Sequence, residues 1–518
     1  MTSKDTVATE PAQDAPADTP ADRRRWIALA VLMTACFMDL VDATIVNIAL
    51  PSLQRDLDTS FSTLQWVTAG YALAFAVGLI TGGRLGDIYG RRKIFLLGIG
   101  GFTVASLLCG IAADPAMLVG SRLLQGAMAA LMVPQVLSII HVTFPAHERG
   151  KVFGMFGAVV GLGAVCGPLL GALLTQWDLA GLGWRPIFLI NLPVGIAGLV
   201  LGRRFIEESR APQALRLDLV GMALVSAGLL ALLLPLTTGR EHDWPLWGFV
   251  LMASSAPILA AFLAYERAKS RRDGSPLVEL SLFRVRSFAA GIGVQIAFST
   301  TLGVFFLIWT LYMQFGLGWS ALHAGLTGVP FSIACSAAAG MSVGKLVPLL
   351  GARRTLQTGA LTMAAGAVVY LLVAERYGMG IASWQMALPL VLMGAGMGMV
   401  FSALTDAVLS EVPQQHAGSA SGLINTTNQM GFALGLAFTS VAYFSVVDER
   451  LPAEGSRAFV TAFGHAMWWV AAVLGVVFAL MYALPKRAAQ HAEAGVADAP
   501  EPGAEALLPE PAPEPVRV

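Results

Sequence analysis

The stretch GRLGDIYGRRK, Gly83 to Lys93, lies between two long apolar runs and concentrates glycine and basic side chains in one short connector. Basic connectors orient membrane spans, so this segment reads as a tight turn between two of them. Much of it returns later in the chain: Gly344-Lys345-Leu346 and Gly351 stand in the same relation as Gly83-Arg84-Leu85 and Gly90, and Arg353-Arg354 matches Arg92-Lys93. A second match is cleaner. Gly150, Gly154, Gly163 and Gly167 recur as Gly418, Gly422, Gly431 and Gly435 at one constant spacing. Membrane helices are rich in glycine and coincidences accrue, but here basic positions recur with the glycines. The chain therefore reads as two duplicated halves.

Outward from that connector, apolar runs of roughly 18 to 26 residues recur, the length at which a helix spans a bilayer. The composition agrees: of 518 residues, 56% are hydrophobic and 13% charged, which excludes an ordinary soluble enzyme. Lys+Arg and Asp+Glu are equal at 33 each, leaving no basic footprint for nucleic acid. Fourteen windows start near Ile27, Thr63, Ile94, Met117, Phe153, Pro186, Asp218, Gly248, Phe288, His323, Leu356, Met386, Gly418 and Ala462. The first follows Arg23-Arg24-Arg25 but carries Asp39 and Asp42 and lacks a small-residue cleavage site, so it reads as an uncleaved span. Cys36, Cys109, Cys166 and Cys335 fall inside apolar runs and read as small core residues, not metal ligands.

Placing the N-terminus inside leaves only Arg55, Arg185, Arg240, Arg376, Arg450 and Arg457 outside, whereas a miscount by one span would scramble this asymmetry. The expected fold is an all-α membrane protein of fourteen transmembrane helices, two six-helix bundles plus two inserted helices. Its expected parts are a disordered cytoplasmic tail at 1–25, a bundle at 26–205, the inserted pair and linker at 206–287, a second bundle at 288–485, and a second disordered cytoplasmic tail at 486–518. Both tails are too rich in Ala, Pro and acid or Thr to bury a core. Facing duplicated bundles are the architecture that exposes one site to either side by rocking.

GRLGDIYGRRK resembles the signature between spans 2 and 3 of the major facilitator superfamily, departing from it at Ile88, where a basic residue is usual. Arg122-Leu123-Leu124-Gln125-Gly126 resembles its span 4 signature, and the stretch Gly163 to Gly171, GAVCGPLLG, resembles the span 5 signature of its antiporters. DATIVNIALP from Asp42 and WRPIFLINLP from Trp184 look like the 14-span drug:proton antiporter branch. The resemblance implies that Gly83, Asp87, Gly90 and Arg91 latch the outward-open state; a solvated loop that merely fixes topology is the competing reading. It links Gly163, Gly167, Pro168 and Gly171 to sealing against ion leak, through close approach to a helix across the interface of the halves. A plain packing kink competes with that.

Asp39, Asp42 and Arg122 are charges within spans, where an ionisable group is costly unless paired or wetted. Asp42 lies roughly 12 Å along its helix from Leu50, and Arg122 roughly 8 Å into span 4, at 1.5 Å per residue. Their depths match within an arginine side chain. Asp39 shares a face with Asp42, and Gln125 with Arg122. These groups read as a proton-coupling cluster facing a central cavity, against a static Asp42–Arg122 ion pair that only joins two spans. Gln125, Trp309, Tyr312, Asn425 and Asn428 are weaker candidates for the substrate cavity: aromatic walls suit flat or cationic compounds, while amides equally hold helices together. Phe305, Phe306 and Gln429 fall in the same class. Asp406 suits an interfacial position better than a proton relay, and His465 receives no role.

No nucleotide loop, H-E-x-x-H or G-x-S-x-G turn accompanies the spans, which argues against an enzyme and against ATP as the energy source. The expected function is a proton-driven exporter of hydrophobic or amphipathic drugs or antibiotics at the cell membrane, working as a monomer with no cofactor beyond the coupling proton and no metal. A proton-coupled uptake symporter is the alternative within transport, and a non-transport membrane enzyme or receptor is the alternative from a different class.

Overall fold

A computed structural model describes residues 20–59, 61–177, 181–211, 218–239, 244–272, 277–409, 412–413 and 416–484. No strand occurs among them. The helices are α1 (Pro20–Asp56), α2 (Phe61–Tyr89), α3 (Arg91–Gly110), α4 (Pro115–Thr143), α5 (Ala146–Trp177), α6 (Pro186–Phe205) and, after it, α7 (Leu219–Thr238) and α8 (Leu246–Arg272). There follow α9 (Arg286–Gly316), α10 (Leu322–Leu350), α11 (Ala352–Tyr377), α12 (Ala387–Leu409), α13 (Ala417–Glu454) and α14 (Arg457–Leu480).

Among the described residues thirteen helices are long and apolar enough to cross a membrane. The other, α5, is 32 residues long, more than a bilayer requires, and its described apolar stretch is Lys151–Gly163. This is consistent with fourteen spans. The expected N-terminal tail ends earlier than residue 25, because α1 already begins at Pro20 and carries Arg23 to Arg25 on its first turns. The rest of that tail, and the tail at 486–518, lie outside the described residues.

Helix ends follow local chemistry. Asp114 caps α4 by accepting from Met117 N at 2.9 Å, and Asp218 caps α7 by accepting from Gly221 N at 2.9 Å. Between α2 and α3 the chain turns at Gly90 (φ 109°), and between α10 and α11 at Gly351 (φ 82°). Both lie in the left-handed region that favours glycine. The two glycines aligned by the internal repeat thus make the same backbone break in each half.

The second set of repeated glycines sets how the halves meet. A Cβ on Gly163 would lie 2.7 Å from Leu40 of α1, and one on Gly431 would lie 2.6 Å from the Ile296 carbonyl of α9. Gly167 packs against Thr44 and Gly435 against Thr300 in the same way. These contacts stay within a half. Gly154 instead meets Gly340 of α10 (2.6 Å), and Gly422 meets the Leu79 carbonyl of α2 (2.7 Å). So α5 and α13 each grip the first helix of their own half and the second helix of the other. This corrects the expectation for the span 5 signature: its glycines face α1, and the crossing is made earlier on α5, by Gly154, Gly157 and Gly161. Gly171 is buried and its carbonyl accepts from Thr175 Oγ1 at 2.7 Å; the Pro168 side chain lies outside the described residues.

The inserted α7 lies over the α2–α13 seam. Val225, Leu229 and Leu233 are buried against Leu73, Ala76 and Ile80 of α2 and Ala433 of α13, and α8 packs on α7.

Candidate functional site

Asp42 and Arg122 meet as the depth argument requires. Arg122 Nη1 donates to Asp42 Oδ2 at 2.5 Å, with both side chains 0% exposed. Asp42 Oδ1 accepts from Gln125 Nε2 at 2.8 Å and from Asn191 Nδ2 at 2.7 Å. Arg122 also donates to the Val67 carbonyl (2.9 Å) and to Gln125 Oε1 (2.7 Å), while Ser106 Oγ accepts from Gln125 at 2.8 Å. Five helices, α1, α2, α3, α4 and α6, thus contribute to one buried network. Burying an ionised pair is costly unless its remaining lone pairs and protons find partners: Asp42 is satisfied on both oxygens, while Arg122 Nη2 has no hydrogen-bond partner among the described residues and the guanidinium lies over the Tyr71 ring.

Asp39 is held differently. Its described hydrogen bond is from the Tyr71 hydroxyl, and the Tyr71 ring lies under the Arg122 guanidinium at 4.2 Å. The order Asp39, Tyr71, Arg122, Asp42 is therefore continuous. Tyr71 and Ser106 escaped sequence reasoning, because a lone hydroxyl in an apolar run carries no periodic signal. Asn191 stood within the quoted WRPIFLINLP stretch, yet its partner was not readable from it.

The side chains of the cluster are buried within the N-terminal half. Gln125 is fully buried inside the network, which corrects its expected place on the substrate path. Trp309 and Tyr312 are likewise core residues. Trp309 Nε1 donates to Tyr370 Oη at 3.0 Å, and Tyr312 stacks on Phe463 at 4.2 Å between centroids. Phe305 stacks on Trp309 and Phe331 in that same core. Asn425 donates to the Ser421 carbonyl one turn back (2.9 Å), and Asn428 Oδ1 accepts from Ser299 Oγ of α9 (2.5 Å). Both are half-buried. His465 is exposed and bonds the Thr461 carbonyl of its own helix.

At the end of the bundle carrying Gly83 to Lys93, the halves are closed onto each other. Asp87 is buried; Arg91 Nη2 donates to its Oδ1 at 2.8 Å. The backbone N–H groups of Gly418 (3.1 Å) and Ser419 (3.0 Å) donate to its two oxygens. A carboxylate thus caps the positive N-terminus of α13 from the other half. Gly83 lets the helices approach, since a Cβ there would strike the Gly418 backbone. Gly90 and Arg91 are held from the segment after α6, where Arg91 N donates to the Ser209 carbonyl at 2.8 Å. On the same end, His141 Nε2 donates to the Val412 carbonyl at 3.0 Å across the seam, and Arg25 pairs with Glu148 at 2.8 Å.

At the far end, Asp56 accepts from Trp184 Nε1 and Arg185 Nη1, each at 2.9 Å. The indole N–H and the guanidinium hold this carboxyl below the usual carboxylate range.

Residues 32–436 match the Major Facilitator Superfamily. The chain belongs to that superfamily. This facilitator is 43% identical over 438 residues to the "Probable actinorhodin transporter" of Streptomyces coelicolor, covering 85% of this chain and 76% of that one. It is 35% identical over 450 residues to the "Tetracenomycin C resistance and export protein" of Streptomyces glaucescens, covering 85% and 81%. In fold it is similar to the superfamily's proton:xylose symporter XylE, with a TM-score of 0.61 at 16% identity over 89% of this chain and 96% of that one. The chain is a multi-pass membrane transporter and not an enzyme.

Proposed function

We propose that this facilitator is a proton-coupled antiporter that exports hydrophobic or amphipathic compounds, antibiotics among them, by alternating access. The observation that carries the reading is the buried path Asp39, Tyr71, Arg122, Asp42. Asp42, with three donors, is the fixed anion that holds Arg122. Asp39, with one described donor, is the acid suited to gain and lose a proton. The relatives' names, which speak of antibiotic transport, resistance and export, support the cargo class.

The Arg-rich end, with both termini, faces the cytoplasm of the cell that bears the protein in its plasma membrane, following the basic connectors. The closed α2–α13 seam then belongs to the outward-open state. The protein works as a monomer with the proton as its coupling ion and without a cofactor. One charge moving through 100 mV supplies about 2.3 kcal/mol. The test is efflux of a compound panel from proteoliposomes, with and without a protonophore, for the wild type, Asp39→Asn, Asp42→Asn and Arg122→Ala. Export that stops when the gradient is collapsed, and in Asp39→Asn, is expected; uptake toward the basic side, or export indifferent to the gradient, overturns the reading.

A further inference from the structure

We propose that Asp218 and Glu266, at the root of the inserted hairpin, share one proton as a buried carboxyl–carboxylate pair that fastens the α8–α9 linker to the closed seam. The pair lies apart from the Asp42 network and does not depend on the direction or coupling of transport.

Asp218 precedes α7 and Glu266 lies on α8; they are 2% and 0% exposed. One oxygen of each is accounted for. Asp218 Oδ1 accepts from Gly221 N at 2.9 Å and Tyr265 Oη at 3.1 Å, and Glu266 Oε2 accepts from Val278 N at 3.0 Å. The other two, Asp218 Oδ2 and Glu266 Oε1, have no hydrogen-bond donor among the described residues. They converge on one point: a Cβ on Gly221 would lie 2.6 Å from Glu266 Oε1 and 2.7 Å from Asp218 Oδ2. Glycine leaves the room in which the two oxygens face each other.

The charged and titratable neighbours do not fill the gap. Lys269 Nζ of α8 forms a salt bridge with Asp218 Oδ2 at 4.0 Å, too long for a hydrogen bond, so it lends the pair positive charge without donating to it. On α2 the buried Arg84 lies within electrostatic reach of Asp87, Asp218, Glu266 and of Glu279 in the linker. Its Nε and Nη2 have no hydrogen-bond partner among the described residues. Ahead of α13, His416 lies near Glu279, Arg84 and Asp87, and burial keeps it toward its neutral form. An ionised carboxylate only accepts, so two of them facing each other out of water lack a donor, and a proton on one supplies it.

The pair acts on the seam through the linker. Val278 N is held by Glu266, the Leu277 carbonyl accepts from Ser419 Oγ at 2.9 Å, and Ser419 N donates to Asp87. Loss of the proton sets two like charges face to face and loosens α8 from α7 and the linker from α13. The hairpin thereby senses proton activity at the closed end.

The test is infrared difference spectroscopy of the reconstituted full-length protein through a pH titration, comparing the wild type with D218N and E266Q. Asn also caps helices, so D218N retains the start of α7. The expected result is a protonated-carboxyl carbonyl signal present at neutral pH in the wild type and lost in both variants, since either amide removes the shared proton. The protection factor of the Val278 amide, its exchange rate relative to the intrinsic rate at each pH, should fall as that signal titrates away in the wild type and stay constant with pH in E266Q. A signal unchanged in both variants, or lost in only one, overturns the pair; an unchanged Val278 protection factor through the wild-type titration overturns its hold on the linker.

Discussion

Asp87 and Ser419 lie 332 residues apart in the chain and are joined at 3.0 Å, the Ser419 backbone N–H donating to the Asp87 carboxylate. The bond exists only while the two halves are together at that end. It ties the internal duplication to a conformational equilibrium, because the residue that caps α13 belongs to α2.

Asp87→Asn should shift the bundle toward opening at the Arg-rich end. Loss of a charged cap costs about 1 kcal/mol, roughly a fivefold change in the closed-to-open ratio. Maleimide labelling of a cysteine placed at Pro413, exposed beside the seam, would report it as faster modification in the variant.

Arg122→Ala should destabilise the folded protein by about 3–5 kcal/mol, because it strands a fully buried carboxylate. Asp39→Asn keeps a hydrogen-bond partner for Tyr71 and should leave the melting temperature in detergent near that of the wild type, while abolishing gradient-driven export. Equal melting temperatures for Arg122→Ala and the wild type would remove the structural role given to the ion pair.

Gly83→Val and Gly167→Val separate the seam from the half. A side chain at Gly83 strikes the Gly418 backbone across the seam, and one at Gly167 strikes Thr44 inside the N-terminal half. Overpacking of this kind costs about 1–3 kcal/mol. Gly83→Val should accelerate labelling at the Arg-rich end with little change in melting, and Gly167→Val should lower the melting temperature.

The far-end tie between Asp56, Trp184 and Arg185 should weaken in acid. Because the folded carboxyl titrates below its unfolded value, its contribution is complete above roughly pH 4 and is lost as pH falls through the folded value. Asp56 is largely exposed, so the effect stays under about 1 kcal/mol. Melting curves of the wild type and Arg185→Ala should therefore converge as the pH is lowered, and a gap that widens would contradict the assignment.

Depth along a helix was readable from spacing alone, so Asp42 and Arg122 could be paired before any fold was known. Azimuth was not. Gln125 shares a face with Arg122, but that face turns inward to α1, α3 and α6, and no single-helix pattern tells a bundle interior from a cavity wall. The same ambiguity put Trp309 and Tyr312 on the substrate path when they pack with Tyr370 and Phe463. The glycines of α5 announced close contact without naming the neighbour, which proved to be α1. Asp218 and Glu266 carried no joint signal, since their meeting depends on how two inserted helices fold back.

The hairpin also breaks the likeness of the two halves for anything dissolved in lipid. Along α2 and α13 a membrane-borne molecule meets the wall of α7, whose Val225, Leu229 and Leu233 are already occupied. Along α5 and α10 it meets Met155, Leu162, Ile333 and Met341, each at least 40% exposed to the surroundings. Any lipid-dissolved molecule arriving sideways therefore finds one flank shuttered and the other bare, and a molecule built by doubling has acquired a front and a back.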